Sequence, residues 1–136
     1  MTKVIKEYPP NFEQIDKIFN VRGKHVIYSW GDVIYSPHPD TFITPELYAH
    51  EAVHGKRQTP DTKSIEAWWE RYLIDVEFRL SEELLAHRAE YREFCRTNLD
   101  RNDRNRFLTA VANRLSGPLY LNGISLSKAR QSILKG

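Results

Sequence analysis

The sequence TPELYAHEAVHGKRQ, residues 44–58, has the local signals of a helix that begins near residue 45. Thr44 is suited to accept a hydrogen bond from the backbone of the first turn, as an N-cap does. Pro45 suits the first helical position, because its missing N–H would have no partner there. Glu46 places a negative charge in the first turn, where the helix dipole favours an anion. The stretch therefore predicts a helix that carries the two histidines of HEAVH on successive turns.

This helix predicts a metal site, because His50 and His54 are one turn apart and project from the same face. Two imidazole nitrogens on one face suit a tetrahedral zinc ion, which they bind at about 2.0 to 2.1 Å. Glu51 is placed to take a proton from a zinc-bound water and to deliver it to a leaving amine, which predicts metal-assisted hydrolysis of an amide. Five flanking apolar residues predict that the helix is buried on nearly all sides: Leu47, Tyr48, Ala49, Ala52 and Val53.

A catalytic zinc site needs a third protein ligand and one open position. The pattern HExxHxxGxxH would supply a third histidine, but Arg57 and Pro60 stand at its glycine and histidine positions, which excludes that class of site. A carboxylate from a later helix is the remaining common solution, and Glu82 and Glu83 lie together in the run SEELLAHRAEY. Adjacent helical residues point about 100° apart, so only one of them can face the metal. Helical periodicity alone leaves this choice open.

Ahead of the motif, the chain is predicted to form a short helix and a β-hairpin. Apolar residues at helical spacing predict a helix over residues 11–19. The segments HVIYSW and VIYS, on either side of Gly31 and Asp32, read as two short strands. We expect this hairpin to pack against the helix of the HExxH motif.

After the motif, the pattern is helical throughout. Ser64 is placed to cap a helix whose apolar stripe comprises Ile65, Trp68, Trp69, Tyr72, Leu73 and Val76. The helical pattern continues or restarts at Ser81, and further helices are predicted over about residues 103–115 and after Ser125. The predicted fold class is therefore α+β and mostly helical, with one small hairpin.

Length and composition indicate one globular domain over residues 1–136. The 40% of hydrophobic residues is enough for a core, and the 28% of charged residues is too little for disorder. A single cysteine, Cys95, excludes an internal disulfide and a zinc site made of several thiolates. No apolar run is long enough for a membrane span, and the start MTKVIKEYPP does not resemble a secretory signal. We therefore expect a cytoplasmic protein with no signal peptide and no membrane partner.

Charge is unevenly distributed along the chain. Residues 1–95 contain 12 Lys and Arg against 16 Asp and Glu, whereas residues 96–136 contain 8 against 2. This basic, helical C-terminal part has the composition of a segment that binds nucleic acid or another anionic partner. A solvated helix face has the same composition, so nucleic acid is not the partner we expect.

Four segments carry a resemblance to a known family: HVIYSWGDVIYSP, ITPELYAHEAVHGKRQ, WWERYLIDVEFRLSEELLAHRAEYREF and LSGPLYLNGISLSKARQSI. Together they cover most of the chain and resemble the small zinc metallopeptidases with an HExxH motif and a later Glu (gluzincin-like zincins), in particular those encoded by bacteriophages and prophages. The resemblance implies a minimal zincin-like domain with one zinc ion, in the bacterial host cytoplasm or the virion. Such proteins carry a Glu three residues before an Ala on the helix after the motif, which Glu83 and Ala86 match. The resemblance therefore favours His50, His54 and Glu83 as the metal ligands, with Glu82 as the alternative.

Two further residues are candidates for the catalytic site. The family often has Tyr after this Ala, whereas this chain has His87, four residues after Glu83. His87 is placed to orient that ligand, to donate a hydrogen bond to the oxyanion of the reaction, or to fill the core. Tyr120, in the segment GPLYLNG, is a second candidate oxyanion donor. We also expect the exposed edge of the hairpin to bind an extended peptide by strand addition, as zincins commonly do.

The sequence thus predicts a zinc-dependent endopeptidase or a related amide hydrolase, with Glu51 as general base and then general acid. Its substrate is a peptide or a protein, and a cell-wall peptide fits these residues equally well. The alternative is a non-catalytic zincin-like phage protein that uses residues 96–136 to bind a host protein, a virion protein or nucleic acid. The complete HExxH favours the enzyme, because an inert protein has no physical need for Glu51.

Overall fold

The computed structural model describes residues 3–118 and 123–135. In chain order these residues form β1 (Lys3–Ile5), α1 (Phe12–Phe19), β2 (Tyr28–Trp30), β3 (Val33–Tyr35), α2 (Pro45–Gln58), α3 (Thr62–Ile74), α4 (Val76–Thr97), α5 (Arg101–Leu115) and α6 (Leu126–Lys135). The described part is mostly helical with one small sheet, which confirms the predicted α+β class. Within these residues, no helix has the length and the hydrophobicity that a membrane span needs.

The sheet has the strand order β1-β3-β2 and includes one strand that the sequence did not predict. The predicted hairpin is present, with Trp30 of β2 opposite Val33 of β3 across the Gly31-Asp32 turn. β1 pairs with β3 in parallel and places Val4 opposite Ile34. β1 was not predicted, because its three residues are too few to show the alternation of apolar and polar side chains that is typical of a strand. β1 and β2 are the two edge strands, and β2 packs against α2.

Helix α2 begins as predicted but is buried differently. Thr44 accepts a hydrogen bond from the backbone nitrogen of Leu47 at 3.2 Å, and Pro45 is the first helical residue. The prediction that this helix is buried on nearly all sides is wrong, because Tyr48 is 39% exposed and Ala52 is exposed as well. The buried residues are His50, Glu51, His54, Gly55 and Gln58. Since buried polar side chains need partners, the inner face of α2 depends on hydrogen bonds rather than on apolar packing.

The turn of the hairpin lies directly on α2 at Gly55. A Cβ atom on Gly55 would stand 2.1 Å from the carbonyl oxygen of Gly31, so only a glycine permits this approach. Gln58 stabilises this contact between the hairpin turn and α2, because its Nε2 donates to Ser29 O at 3.1 Å and its Oε1 accepts from Gly31 N at 2.7 Å. The hairpin is thereby held beside the HExxH motif.

Helix α3 carries the larger core of the molecule. It begins at Thr62 with Asp61 as its N-cap, and not with Ser64 as expected, because the Asp61 carboxylate accepts from Ser64 N at 2.9 Å. Five residues of the predicted apolar stripe are buried and pack with α1 and the hairpin, whereas the sixth, Val76, begins α4 and lies outside this core. The core residues are Phe12, Ile15, Tyr28, Ile65, Trp68, Trp69, Tyr72 and Leu73.

Helix α4 starts at Val76, five residues before the expected restart at Ser81. Asp75 separates the two helices and caps α4 by accepting from Phe78 N at 3.0 Å. Arg79 is buried and donates to the carbonyl oxygens of Tyr72 and Leu73 at 2.8 and 2.9 Å. Both carbonyls lie near the end of α3, where the helix leaves its last carbonyl groups to other donors, so Arg79 fixes α4 against α3.

The second half of α4 packs with α5 and α6 around a separate core. Helix α5 begins at Arg101, slightly earlier than expected, and α6 follows Ser125 as predicted. The buried residues of this core are Leu108, Val111, Ala112, Leu115, Ala129 and Ile133. Helix α4 therefore links the basic C-terminal part to the half of the molecule that contains the HExxH motif.

Candidate metal centre

Three donor atoms from α2 and α4 converge. Glu83 Oε1 lies 2.5 Å from His54 Nε2 and 3.4 Å from His50 Nε2. All three side chains are buried, with exposed fractions of 5 to 6%. Donors bound to one tetrahedral zinc ion stand roughly 3.4 Å apart, because each lies about 2.0 to 2.2 Å from the metal. The distance from Glu83 to His50 matches this value, whereas the 2.5 Å from Glu83 to His54 is a hydrogen bond that would have to lengthen when both groups bind an ion. The structure thus brings together the three residues that the sequence and the resemblance assigned to the metal.

Glu51 lies at the edge of this group and is fixed by the hairpin. Its Oε2 is 3.6 Å from His50 Nε2, and its Oε1 accepts a hydrogen bond from Ser29 Oγ at 2.6 Å. Burial raises the pKa of Glu51, although His50, His54 and the Ser29 hydrogen bond oppose this effect. A carboxylate with a raised pKa and one fixed oxygen is suited to accept and release a proton. Ser29 was missed in the sequence, where nothing distinguishes it from any serine in a strand.

Glu82 faces away from the two histidines and has other partners. Both of its carboxylate oxygens accept from Arg57 Nε at 2.7 Å, and Oε1 also accepts from Trp68 Nε1 at 2.6 Å. The side chain is 1% exposed, so these bonds provide the partners that a buried carboxylate needs. Glu82 therefore joins α2, α3 and α4, and of the two adjacent carboxylates only Glu83 reaches both histidines.

Glu90 contacts the ring nitrogen of His50 that faces away from Glu83. Its Oε1 lies 2.9 Å from His50 Nδ1, and its Oε2 accepts from Arg114 Nη2 at 2.8 Å. Burial would raise the pKa of Glu90, but His50 and Arg114 hold it below 4.5. A carboxylate on the second ring nitrogen orients a metal-binding histidine and makes it more basic. Glu90 was missed as a functional residue, although it is two helical turns after Glu83 and shares its face of α4.

His87 lies beside His50 but outside the cleft. Its ring centroid is 4.7 Å from that of His50, and neither ring nitrogen has a hydrogen-bond partner among the described residues. Burial, together with His50, lowers the pKa of His87 to about 3, so the ring is neutral. The residues that line the cleft do not include His87. The geometry therefore fits core filling against His50 better than oxyanion donation. Tyr120, the other candidate donor, lies outside the described residues.

The two ligands His50 and Glu83 form a strongly coupled pair. Burial would lower the pKa of His50, but Glu83, Glu90 and Glu51 outweigh it and hold this pKa well above 6.5. Burial would likewise raise the pKa of Glu83, but His54 and His50 hold it well below 4.5. In the chain by itself, these groups therefore form a buried ion pair, and a metal ion bound here would take the place of the proton on the imidazole.

A cleft of about 170 Å³ opens beside these residues. One wall is the segment from Val26 to Ser29, and the other is the aromatic face of α3.

The free strand edge expected on the hairpin is not present at Ser29, because the carbonyl oxygen of Ser29 accepts from Gln58 Nε2 and from Trp69 Nε1 at 3.1 and 2.9 Å. The prediction of strand addition is therefore wrong at this residue.

The donor set fits a catalytic zinc ion. Two imidazoles and one carboxylate leave a fourth position for water or substrate, which is the arrangement of catalytic rather than structural zinc sites. Glu90 supplies the outer partner of His50, whereas His54 Nδ1 is buried and has no hydrogen-bond partner among the described residues. Imidazole nitrogens also bind cobalt, nickel, copper and iron, so the donor set is not specific for zinc.

Comparison of the chain with protein-family models, with curated proteins and with solved structures finds no match. The function must therefore be argued from the geometry of this centre.

Proposed function

We propose that this protein is a zinc-dependent metallopeptidase that hydrolyses peptide bonds. The observation that carries the proposal is the convergence of His50 Nε2, His54 Nε2 and Glu83 Oε1 next to the Glu51 carboxylate. The resemblance of the sequence to gluzincin-like peptidases supports the same reading. His50, His54 and Glu83 hold the ion in this proposal, and the cleft admits the peptide.

The residues of the chain divide the remaining work. Glu51 takes a proton from the attacking water and later delivers it to the leaving amine. Ser29 holds one oxygen of Glu51, so the carboxylate keeps its orientation during both transfers. Glu90 holds the ring of His50 in place from its other nitrogen. When bound, zinc supplies Lewis acidity, which polarises the scissile carbonyl and lowers the pKa of water.

Three variants test the proposal. Glu51→Gln keeps the shape of the side chain but removes its basicity, so we expect hydrolysis of labelled casein to be lost while zinc stays bound. His54→Ala removes a ligand, so we expect both zinc and hydrolysis to be lost. His38→Ala is the matched control, because the ring of His38 packs against that of His25, 3.6 Å between centroids, in the loops outside the metal centre.

The measurements are zinc per chain, by mass spectrometry, and the rate of casein hydrolysis. Full activity in Glu51→Gln would contradict the mechanism. Unchanged zinc content in His54→Ala would contradict the ligand set.

A second candidate function is anion binding by the basic C-terminal part. Arg101, Arg104 and Arg130 line one groove, and none of them forms an ion pair with a carboxylate among the described residues. Arg104 and Arg130 are held by neutral oxygen atoms, so their charges remain uncompensated. Binding of a short DNA duplex that weakens steeply with salt would support this function, and salt-independent binding or no binding would count against it.

A further inference from the structure

The cleft beside the metal centre has two apolar walls. Trp68, Trp69 and Tyr72 of α3 form one wall, and Val26, Ile27 and Tyr28 form the other. The ring of His54 packs directly on the first wall, with centroid distances of 5.2 Å to Trp68 and 6.3 Å to Tyr72. A group bound in the cleft therefore touches the aromatic wall and the metal ligands at the same time.

The aromatic wall presents hydrocarbon to the cleft. Trp68 Nε1 donates to Glu82 at 2.6 Å, and Trp69 Nε1 donates to the carbonyl oxygen of Ser29 at 2.9 Å. Both indole N–H groups are thus used inside the protein, and neither is free to bind a polar substrate group. Trp68 also stacks on Tyr72 at 4.9 Å with an interplanar angle of 19°, so the wall is packed in place before any substrate arrives.

The cleft also lacks countercharges for a charged side chain. Among the described lining residues, the only carboxylates are Glu51 and Glu83, and there is no lysine, arginine or aspartate. Glu83 is committed to the histidines, and Glu51 is bonded to Ser29. Burial of an unpaired charge is costly, so a cationic substrate side chain is excluded more strongly than an apolar one, and an anionic side chain would have no partner except the metal ion, whose open position is needed by the scissile amide.

The size of the cleft selects among apolar groups. Its volume of about 170 Å³ is close to the roughly 150 Å³ of an apolar protein cavity that holds one benzene molecule. His50, Glu51, His54 and Glu83 also line this space, so a bound metal ion and the scissile amide would share it with the side chain. One phenyl ring or one branched aliphatic side chain is then the largest group that the cleft admits, whereas a methyl group leaves much of it unfilled. The loss of packing contacts then disfavours alanine.

We propose that the cleft binds one large apolar side chain, aromatic or branched aliphatic, next to the scissile amide. The substrates are therefore protein segments with exposed Phe, Tyr, Leu or Ile, and not cell-wall peptides, whose side chains are mostly short or charged. This inference rests on the proposed peptidase function and adds the substrate class to it.

Peptides that differ at one position test the substrate class. The probes are acetyl-Ala-Ala-Xaa-Ala-Ala-amide with Phe, Leu, Ala, Lys or Glu as Xaa, and the cleaved bond is identified by mass spectrometry. For zinc-loaded protein, we expect kcat/KM for Phe and Leu to exceed that for Ala by at least about 10-fold, and cleavage to occur on one side of Xaa. Equal cleavage of all five peptides, or a preference for Lys or Glu, would overturn the inference and leave the peptidase function standing.

Binding without hydrolysis separates the two claims. The Glu51→Gln protein is titrated with the same peptides while its tryptophan fluorescence is followed, because Trp68 and Trp69 line the cleft. We expect saturation with the Phe peptide at a concentration at least about 10-fold below that for the Ala peptide. Such a preference, together with no cleavage of any of the peptides by the zinc-loaded wild-type protein, would keep the cleft assignment and refute the peptidase. Identical titrations for Phe, Ala and Glu would refute the cleft assignment.

A charge placed in the wall gives a third test. Ile27→Lys adds a cation to the cleft, so we expect the peptide with Glu to improve relative to the peptide with Phe by at least about 10-fold in kcat/KM. Ile74→Lys is the matched control, because Ile74 is 81% exposed and does not line the cleft. An unchanged preference in folded Ile27→Lys protein, as judged by circular dichroism, would overturn the inference.

Discussion

Arg57 Nε donates to both carboxylate oxygens of Glu82 at 2.7 Å, and this pair determines which of two adjacent glutamates faces the histidines. Because Glu82 is bound by α2 through Arg57 and by α3 through Trp68, α4 is held in one rotation about its axis. The next residue, Glu83, then points about 100° away, toward His50 and His54. One glutamate thus positions the helix, and its neighbour is the proposed metal ligand.

Exchange of either glutamate for glutamine is expected to separate these two roles. Glu83→Gln should lower zinc affinity by more than the roughly 10- to 100-fold that loss of an outer partner costs. Glu82→Gln should keep zinc but lower the free energy of unfolding by about 1 to 3 kcal/mol, because it weakens hydrogen bonds to a buried charge. Zinc titration and urea unfolding measure the two effects. Equal zinc loss in both variants would contradict this division.

Glu90 is expected to tune the metal centre without touching the ion. Glu90→Gln removes the charge that His50 Nδ1 faces, so we expect zinc affinity to fall by about 10- to 100-fold. Arg114→Met should cost less, because the Arg114 side chain is 49% exposed and its ion pair with Glu90 is partly screened by water. Competition with a fluorescent zinc chelator measures both affinities. A larger effect for Arg114→Met than for Glu90→Gln would show that the C-terminal part, and not the carboxylate, governs the centre.

The motif and its helix could be predicted from the sequence because their signals are local. Thr44 and Pro45 define where α2 begins, and the spacing of His50 and His54 places both rings on one face. The choice of Glu83 over Glu82 could not be made from periodicity, because it depends on Arg57, which is 25 residues away from Glu82 in the chain. The resemblance to a known family favoured the same residue that the geometry brings to the histidines.

Contacts between distant segments account for what the sequence did not reveal. Ser29 becomes the partner of Glu51 only because Gly55 lets the hairpin turn approach α2. The prediction that α2 is buried on nearly all sides was wrong because it rested on the apolar residues of the helix. Ala52 faces solvent, whereas the polar face of α2 is buried. In α2 the usual relation between polarity and burial is reversed, because its buried side chains are His50, Glu51, His54 and Gln58.

Stability is expected to depend on pH in opposite ways with and without zinc. The raised pKa of His50 stabilises the metal-free chain fully below 6.5, and this contribution is lost as pH rises through the folded-state pKa. The lowered pKa of Glu83 stabilises the chain above 4.5, and this contribution is lost as pH falls through its folded-state pKa. The pair is therefore most stabilising between about pH 4.5 and 6.5.

Zinc binding requires the deprotonated imidazole, so the increase in Tm caused by zinc should grow from about pH 5.5 to 8. Over the same range, the Tm of chelator-treated protein should fall or stay level. Thermal unfolding followed by circular dichroism measures both curves. A zinc-induced increase that is constant over this range would show that His50 does not exchange a proton for the metal.

Gly55→Ala tests whether close contact between the hairpin and α2 is needed for the site. In an ordinary helix interior this exchange stabilises by about 0.5 to 1 kcal/mol. Here the new Cβ would stand 2.1 Å from Gly31 O, so the backbone of the turn must move, and we expect the free energy of unfolding to fall by about 1 to 3 kcal/mol instead.

The control for Gly55→Ala is Ala52→Gly on the exposed face of the same helix, which should cost only about 0.5 to 1 kcal/mol and leave hydrolysis intact. Because Ser29 moves with the turn, Gly55→Ala should also lower kcat while zinc content stays unchanged. A stabilised Gly55→Ala protein with full kcat would show that the hairpin does not hold Glu51.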